Sequence, residues 1–209
     1  TADRALIAFV QQTVTARLQD QQAGHGMDHV LRVHANACHL QEQAGGDRLT
    51  IELAALLHDV GDAKLHAGIE RSAEFSREIL TERNVSPELV EHVASIVDGI
   101  SFRKGLDPSQ LSHEGRIVQD ADRLDAIGAV GIVRTIEYGA TQGQPFYVPS
   151  DAGTPVASGT GLAHFYDKLF KLSALLNTDA AKRMAAQREQ FMHQFVKQFL
   201  EECQPVTQS

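Results

Sequence analysis

The chain has 209 residues, and because no linker divides it we expect a single domain over residues 1–209 with its core in about 20–130. The formal net charge of -8 argues against a general nucleic-acid surface, which would need clustered Lys and Arg. Aromatic residues are sparse at 6% and Trp is absent, so core packing should rest mainly on Leu, Ile, Val and Ala.

Neither the cysteines nor the apolar runs point to an extracellular or membrane protein. Cys38 and Cys203 lie far apart without a Cys-x-x-Cys spacing, so we expect no disulfide framework and no zinc knuckle. No apolar run reaches the roughly 18 residues that span a bilayer. We therefore expect a cytoplasmic protein that is neither secreted nor bound to a membrane.

Helical periodicity dominates the N-terminal part of the chain. Apolar residues at steps of three and four predict a helix over residues 3–20. A second helix is predicted over Met27–Ala44, because Gly45 and Gly46 follow it. A third is predicted from Thr50, as its N-cap, to about Val60.

The rest of the chain continues in helices separated by short loops. Ser86-Pro87-Glu88 is a strong helix start, since it supplies an N-cap, a proline at the first helical position and an early acidic residue. The predicted elements, in chain order, are helices over about 69–83, 87–98 and 111–138, a long loop over about 139–160, and C-terminal helices over about 161–202, the last one from Thr178. The long loop, rich in Gly and Pro, is either a lid or a disordered segment.

The pair His58-Asp59 follows the apolar run from Ile51 to Leu57. Polar groups at the end of a buried helix need partners, and a metal ion would satisfy both side chains. Taken alone, the pair is weak evidence, because a capping or surface role is more common.

Upstream, His29 shares a helical face with Val33, Ala37 and Leu40, which points it toward the predicted core. It is therefore a hydrogen-bonded core histidine or a metal ligand. His34 and His39 are displaced around the helix, and we expect both at the surface.

Downstream, Asp120 and Asp122 lie in an otherwise apolar helix, about 200° apart around its axis, so only one can face the core. We choose Asp122, on a face with Val118 and Asp125, as the core-facing carboxylate that needs a cation. The alternative is an acidic cluster on the helix surface, paired with Arg123.

Two imidazoles and two carboxylates make a mixed nitrogen and oxygen ligand set. Such a set suits a divalent ion, with Mn expected first and Mg, Fe, Co, Ni or Zn as alternatives. Four protein ligands on an octahedral ion leave positions for water and a substrate oxygen, which is the arrangement of a catalytic metal.

Four separated motifs, in order, resemble the HD-domain superfamily of metal-dependent phosphohydrolases, and in particular its YedJ/YpgQ-type bacterial subfamily. They are Gly-His-Gly-Met-Asp-His at 24–29, Leu-Leu-His-Asp-Val-Gly-Asp-Ala-Lys at 56–64, Gln-Asp-Ala-Asp-Arg-Leu-Asp-Ala-Ile-Gly at 119–128 and His-Phe-Tyr-Asp-Lys-Leu at 164–169. The resemblance covers nearly the whole chain. It implies an all-α fold, a single compact HD-domain helical bundle.

The same resemblance implies hydrolysis of phosphoester or phosphoanhydride bonds, often in nucleotides, with nucleoside triphosphate pyrophosphohydrolysis favoured. Its metal ligands would be His29, His58, Asp59 and Asp122. Asp62 matches the position where nucleotidase relatives carry a Glu that acts as general acid or base, although Asp is shorter.

A small phosphorylated substrate, most simply a nucleotide, needs a local basic pocket rather than a basic surface. We expect Lys64 to assist catalysis by neutralising phosphate charge. The candidate substrate-binding residues are His25, Arg32, His92, Arg123 and Lys168, and Arg103 and Lys104 are further cations that could serve. His92 could instead be a ligand to a second metal ion.

Two other functions fit the same motifs. A noncatalytic module could bind metal and nucleotide as a sensor. A di-iron oxygenase would need further histidine ligands, for which His66 and His92 are the obvious suppliers.

Overall fold

The computed structural model describes residues 2–19, 26–63, 66–100, 108–149 and 156–203, and every regular element within these ranges is helical. The prediction of an all-α chain is therefore confirmed. The helices are α1 Ala2–Arg17, α2 Met27–Ala44, α3 Arg48–Leu57, α4 Ser72–Thr81, α5 Pro87–Ile100, α6 His113–Asp125, α7 Gly128–Thr141, α8 Gly161–Asp167 and α9 Asp179–Glu202, with short 3₁₀ turns at Pro108–Gln110, Leu169–Lys171 and Ser173–Leu175. Among the helices in these ranges, none combines the length and the apolarity that crossing a membrane requires.

The chain packs as two compact units, Thr1–Asp122 and Arg123–Ser209, and the boundary falls inside α6. A single domain over residues 1–209 stays a prediction. Each unit has its own buried core.

In the first unit, α3 is the central helix and contacts α1, α2, α4 and α5. Ile51 and Leu53–Leu57 are all 0% exposed. The segment Leu53–Leu57 is apolar on every side and must therefore be buried on every side, which the neighbouring helices achieve. The position of this helix fixes the position of His58 and Asp59, which directly follow it.

The prediction that Thr50 caps α3 is wrong, because Asp47 is the N-cap. The Asp47 Oδ1 atom accepts hydrogen bonds from the Thr50 backbone N at 2.8 Å and from Thr50 Oγ1 at 2.6 Å. These bonds satisfy one of the amide groups that the first helical turn leaves unpaired. They also hold the pKa of the Asp47 carboxyl below its ordinary value. The helix ends at Leu57, so His58 is its C-cap and Asp59 lies in the following turn.

The single helix predicted over about 111–138 is in fact two helices, α6 and α7. They are separated at Ala126–Ile127, and Gly128 has a φ of +80°, a conformation that only glycine adopts without strain. The apolar periodicity continues through Ala126 and Ile127, so the sequence pattern alone does not reveal the break.

The core of the second unit contains an aromatic cluster that the composition did not predict. The Phe146 ring lies 5.1 Å from the Phe199 ring, 6.0 Å from Phe165 and 6.3 Å from Phe195, all in edge-on geometry. Such pairs add to the stabilisation that burial alone provides. The first unit, by contrast, is packed with aliphatic residues as expected.

The predicted loop 139–160 begins later than expected, since α7 extends to Thr141. The described parts of the loop, 142–149 and 156–160, are irregular, and residues 150–155 lie outside the description. The Leu162 backbone N donates to the Phe146 carbonyl at 2.8 Å, and Gln144 Nε2 donates to the Gly159 carbonyl at 2.7 Å. These bonds join the beginning of the loop to its end.

Candidate metal centre

Three helices of the first unit bring the four predicted ligands together. His29 lies in the first turn of α2, His58 and Asp59 follow α3, and Asp122 lies on α6. The two imidazoles face each other through Nε2, with the two Nε2 atoms 3.2 Å apart. Both rings are nearly inaccessible, at 1% and 3% exposure of the side chain.

The hydrogen bonding of His58 defines which of its nitrogens faces the site. Its Nδ1 lies 2.8 Å from the Ala55 carbonyl oxygen, which can only accept a hydrogen bond, so Nδ1 carries the proton. With a proton on Nδ1, the ring can offer the lone pair of Nε2 on the side that faces His29. A backbone carbonyl that fixes the ring in this way is the usual support of a metal-binding histidine.

The two carboxylates complete the cluster. An Asp59 oxygen lies 3.4 Å from His29 Nε2, and the other Asp59 oxygen lies 3.5 Å from His58 Nε2. Asp122 Oδ1 lies 3.5 Å from His29 Nε2 and 3.9 Å from His58 Nε2.

These separations fit one divalent ion at the centre. Metal–ligand bonds of about 2.0–2.2 Å place neighbouring donor atoms about 3–3.5 Å apart, close to the distances between the four residues. Two nitrogen and two oxygen donors suit a divalent ion of intermediate softness. His29, His58 and Asp59 form a group that could hold such an ion, and Asp122 Oδ1 adds a fourth donor beside both histidines.

The prediction that Asp122 faces the core is wrong, although Asp122 is the aspartate beside the histidines. Asp120 is the core-facing residue, at 0% exposure, whereas the Asp122 side chain is 42% exposed. A catalytic ligand must lie where solvent and substrate can reach the ion, so it belongs at the edge of the core rather than inside it. The helical-face argument correctly predicted that the two aspartates lie on different faces of the helix, but it assigned the buried face to the wrong one.

The turn that carries His58 and Asp59 is held in place because its backbone at Gly61 lies close to the backbone of residues 71–72. The Gly61 N donates to Ser72 Oγ at 3.0 Å, and the Arg71 N donates to the Gly61 carbonyl at 2.9 Å. Glu70 adds a second brace, because its carboxylate accepts from the Ala63 N at 3.3 Å and the Ser72 N at 2.9 Å. Sequence reasoning missed Glu70 and Ser72, since neither belongs to a recognisable motif.

Asp62 lies half-buried in this turn, and its backbone N donates to the Asp59 carbonyl at 3.2 Å. Of the expected phosphate-binding residues, Arg32 forms an ion pair with Asp28 at 2.8 Å. The His92 Nε2 atom lies 3.7 Å from a Glu114 carboxylate oxygen. His25, Lys64, Arg103 and Lys104 lie outside the described residues.

Arg123 and Lys168 belong to the second unit. The Arg123 guanidinium donates to the Leu175 carbonyl and so supports a 3₁₀ turn. Lys168 follows α8. Burial of His164 lowers the pKa of its imidazole, and the positive charge of Lys168 lowers it further. Their roles in substrate binding stay predictions.

His34, expected at the surface, is another residue that the sequence misplaced. Its side chain is only 20% exposed and faces Glu52 of α3. His39 is exposed, as expected.

The chain was compared with known protein families and proteins. The family model described as HD domain matches residues 26–127. The uncharacterized protein YpgQ of Bacillus subtilis is 38% identical over 187 residues, covering 88% of this chain and 87% of YpgQ.

Solved structures agree with the sequence match. The structure of B. subtilis YpgQ in complex with ADP superposes with a TM-score of 0.83 and 31% identity, covering 99% of each chain. A Bacillus thuringiensis protein described as an HD-superfamily hydrolase superposes with a TM-score of 0.78 and 40% identity, covering 96% of this chain and 97% of that one. The chain belongs to the HD-domain family.

Proposed function

We propose that this protein is a metal-dependent phosphohydrolase that acts on a nucleotide, with a nucleoside triphosphate cleaved to pyrophosphate as the preferred reaction. The observation that carries the proposal is the convergence of two imidazole nitrogens and two carboxylates in the first unit. Two relatives support it, because one is described as an HD-superfamily hydrolase and the structure of another contains ADP.

His29, His58, Asp59 and Asp122 would hold the ion, whose identity we propose to be Mn. When bound, such an ion supplies a Lewis acid for a phosphoryl oxygen and makes water more acidic. The nearly inaccessible histidines form the inner side of the site. The Asp59 and Asp122 side chains, 17% and 42% exposed, form the side that solvent can reach. A substrate phosphate would approach from the carboxylate side.

Asp62 is the proposed proton-handling residue. It is half-buried, and its backbone N donates to the Asp59 carbonyl, so it belongs to the same turn as that ligand. It would accept a proton from the attacking water or donate one to the leaving oxygen.

Added positive charge would balance the polyphosphate. The ligand carboxylates offset a divalent ion, so the phosphate charge needs cations from elsewhere. We propose Arg32 and Lys64 for this role, because they lie close in sequence to the ligands His29 and Asp59, and we propose His25 and His92 as further substrate contacts. Arg32 can be released from Asp28, because that pair is solvent-exposed and contributes little stability.

The test uses purified protein with Mn and a panel of nucleoside mono-, di- and triphosphates, cyclic nucleotides and dinucleoside tetraphosphates. We expect pyrophosphate release from triphosphates, lost in Asp59→Asn and kept in the matched control Asp179→Asn, which alters a carboxylate that is 89% exposed. Tight nucleotide binding without phosphate or pyrophosphate release would instead identify a sensor module. Oxygen-dependent turnover with two bound irons would identify an oxygenase.

A further inference from the structure

A second cluster of potential metal-binding side chains lies in the first unit and shares no residue with the first cluster. His34 and Cys38 are one turn apart on α2, and Glu52 faces them from α3. The His34 Nε2 lies 3.1 Å from Glu52 Oε2 and 3.8 Å from Cys38 Sγ. One donor atom from each of the three residues lies within 4.8 Å of the other two.

The geometry of His34 separates a metal site from a catalytic relay. A Cys–His–Glu relay needs the thiol on one ring nitrogen and the carboxylate on the other. Here Cys38 and Glu52 both face the same atom, Nε2. Three donors that converge on one region can share a cation, whereas they cannot pass a proton through the imidazole ring.

Each residue of the cluster has a donor atom that could bind an ion. The Glu52 side chain is 11% exposed, and Arg48 occupies only its Oε1 atom, at 2.7 Å. The Oε2 atom is the one that faces His34. Cys38 is half-buried, and Glu52 also lines a groove between α1 and α3, so the cluster is close to solvent.

We propose that His34, Cys38 and Glu52 form a second cation site, selective for a thiophilic divalent ion such as Zn²⁺. Zinc bonds of about 2.3 Å to sulfur and about 2.0 Å to nitrogen and oxygen separate tetrahedral ligand atoms by about 3.3–3.5 Å, close to the distances around His34 Nε2. The thiolate makes this site softer than the one with His29 and His58. Three protein ligands leave a fourth position for water.

Without a bound ion, the surroundings of Cys38 favour its neutral thiol over the thiolate. Burial, followed by the negative charge of Glu52, raises the pKa of the Cys38 thiol. A divalent cation reverses this effect, because a thiol that coordinates it loses its proton. The site is independent of the proposed hydrolase activity.

Cobalt provides the first test, since thiolate ligation to Co²⁺ produces a sulfur-to-metal charge-transfer absorption. We expect this absorption in reduced wild-type protein and in Asp59→Asn, and its loss in Cys38→Ser. Cys203→Ser is the matched control, because Cys203 is exposed and is the other of the two cysteines. Absorption that survives in Cys38→Ser would overturn the proposal.

A second test needs no variant of the cluster. In wild-type protein, Zn²⁺ at about ten times its dissociation constant should slow alkylation of Cys38 about tenfold, as measured by mass spectrometry of the labelled peptide. Cys203 labelling in the same sample should not change. Equal Cys38 labelling rates with and without Zn²⁺, together with no cobalt absorption, would show a hydrogen-bonded cluster without an ion.

Discussion

Substituting Gly61 by Ala tests whether the backbone approach behind His58 and Asp59 is as tight as the structure indicates. A Cβ atom at this position would lie 2.6 Å from the Arg71 carbonyl carbon, 2.7 Å from the Ser72 N and 2.8 Å from the Phe75 ring. Ordinary contact begins at 3.4 Å, so the two backbone segments must separate by roughly 0.8 Å. Two of the three obstacles are backbone atoms, which cannot rotate away.

We expect this overpacking to lower the free energy of unfolding by about 1–3 kcal/mol, and the melting temperature by about 2–12 °C. A displacement of about 1 Å in catalytic groups costs on the order of 100-fold in rate, so turnover should fall more than stability suggests. Differential scanning calorimetry and the nucleotide assay measure the two effects. Gly115→Ala is the control, because its Cβ would meet Ser112 Oγ at an ordinary 3.4 Å inside α6. An unchanged melting temperature and turnover in Gly61→Ala would refute this reasoning.

Three further predictions concern a charge pair, a helix cap and the proton-handling residue. Arg134→Met removes the 2.6 Å ion pair to the 2%-exposed Asp125 carboxylate, which keeps the charge of Arg188 nearby, and should cost about 1–3 kcal/mol in urea unfolding, whereas Lys182→Met on an exposed pair should cost less than about 0.5 kcal/mol. Asp47→Ala should cost about 1 kcal/mol at neutral pH. Because the hydrogen bonds from Thr50 lower the Asp47 pKa from 3.8, the part of that stability that depends on the ionised carboxylate is present above this pH and should be lost as the pH falls through the folded value, while Asp47→Asn should show no such pH dependence. Asp62→Asn should keep Mn affinity in calorimetry and lose turnover, and loss of both together would contradict a role in proton transfer.

Helix positions were predictable wherever capping and periodicity agreed. Gly45 ends α2 as predicted, and α9 starts after Thr178, its N-cap, where the last helix was predicted to begin, because each signal depends on local backbone chemistry. The break before Gly128 was not predictable, since it depends on a backbone angle rather than on a pattern of side chains.

The candidate site was predictable in its residues but not in its burial. His29 is buried as its helical face predicts. Asp120 and Asp122 were assigned to the wrong environments, because a helical period separates faces but does not say which face the rest of the fold covers. The cluster of His34, Cys38 and Glu52 joins two helices, so only tertiary structure could reveal it.

The most direct test of the metal centre is pulsed electron paramagnetic resonance on the Mn²⁺-loaded protein, which detects imidazole nitrogen bound to the ion. Wild-type protein should show nitrogen coupling from two histidines. His58→Ala should lose one of these couplings, and His39→Ala, at an exposed histidine of α2, should retain both. Absence of nitrogen coupling in the wild-type protein, or coupling unaffected by His58→Ala, would contradict the assignment of His29 and His58 as ligands.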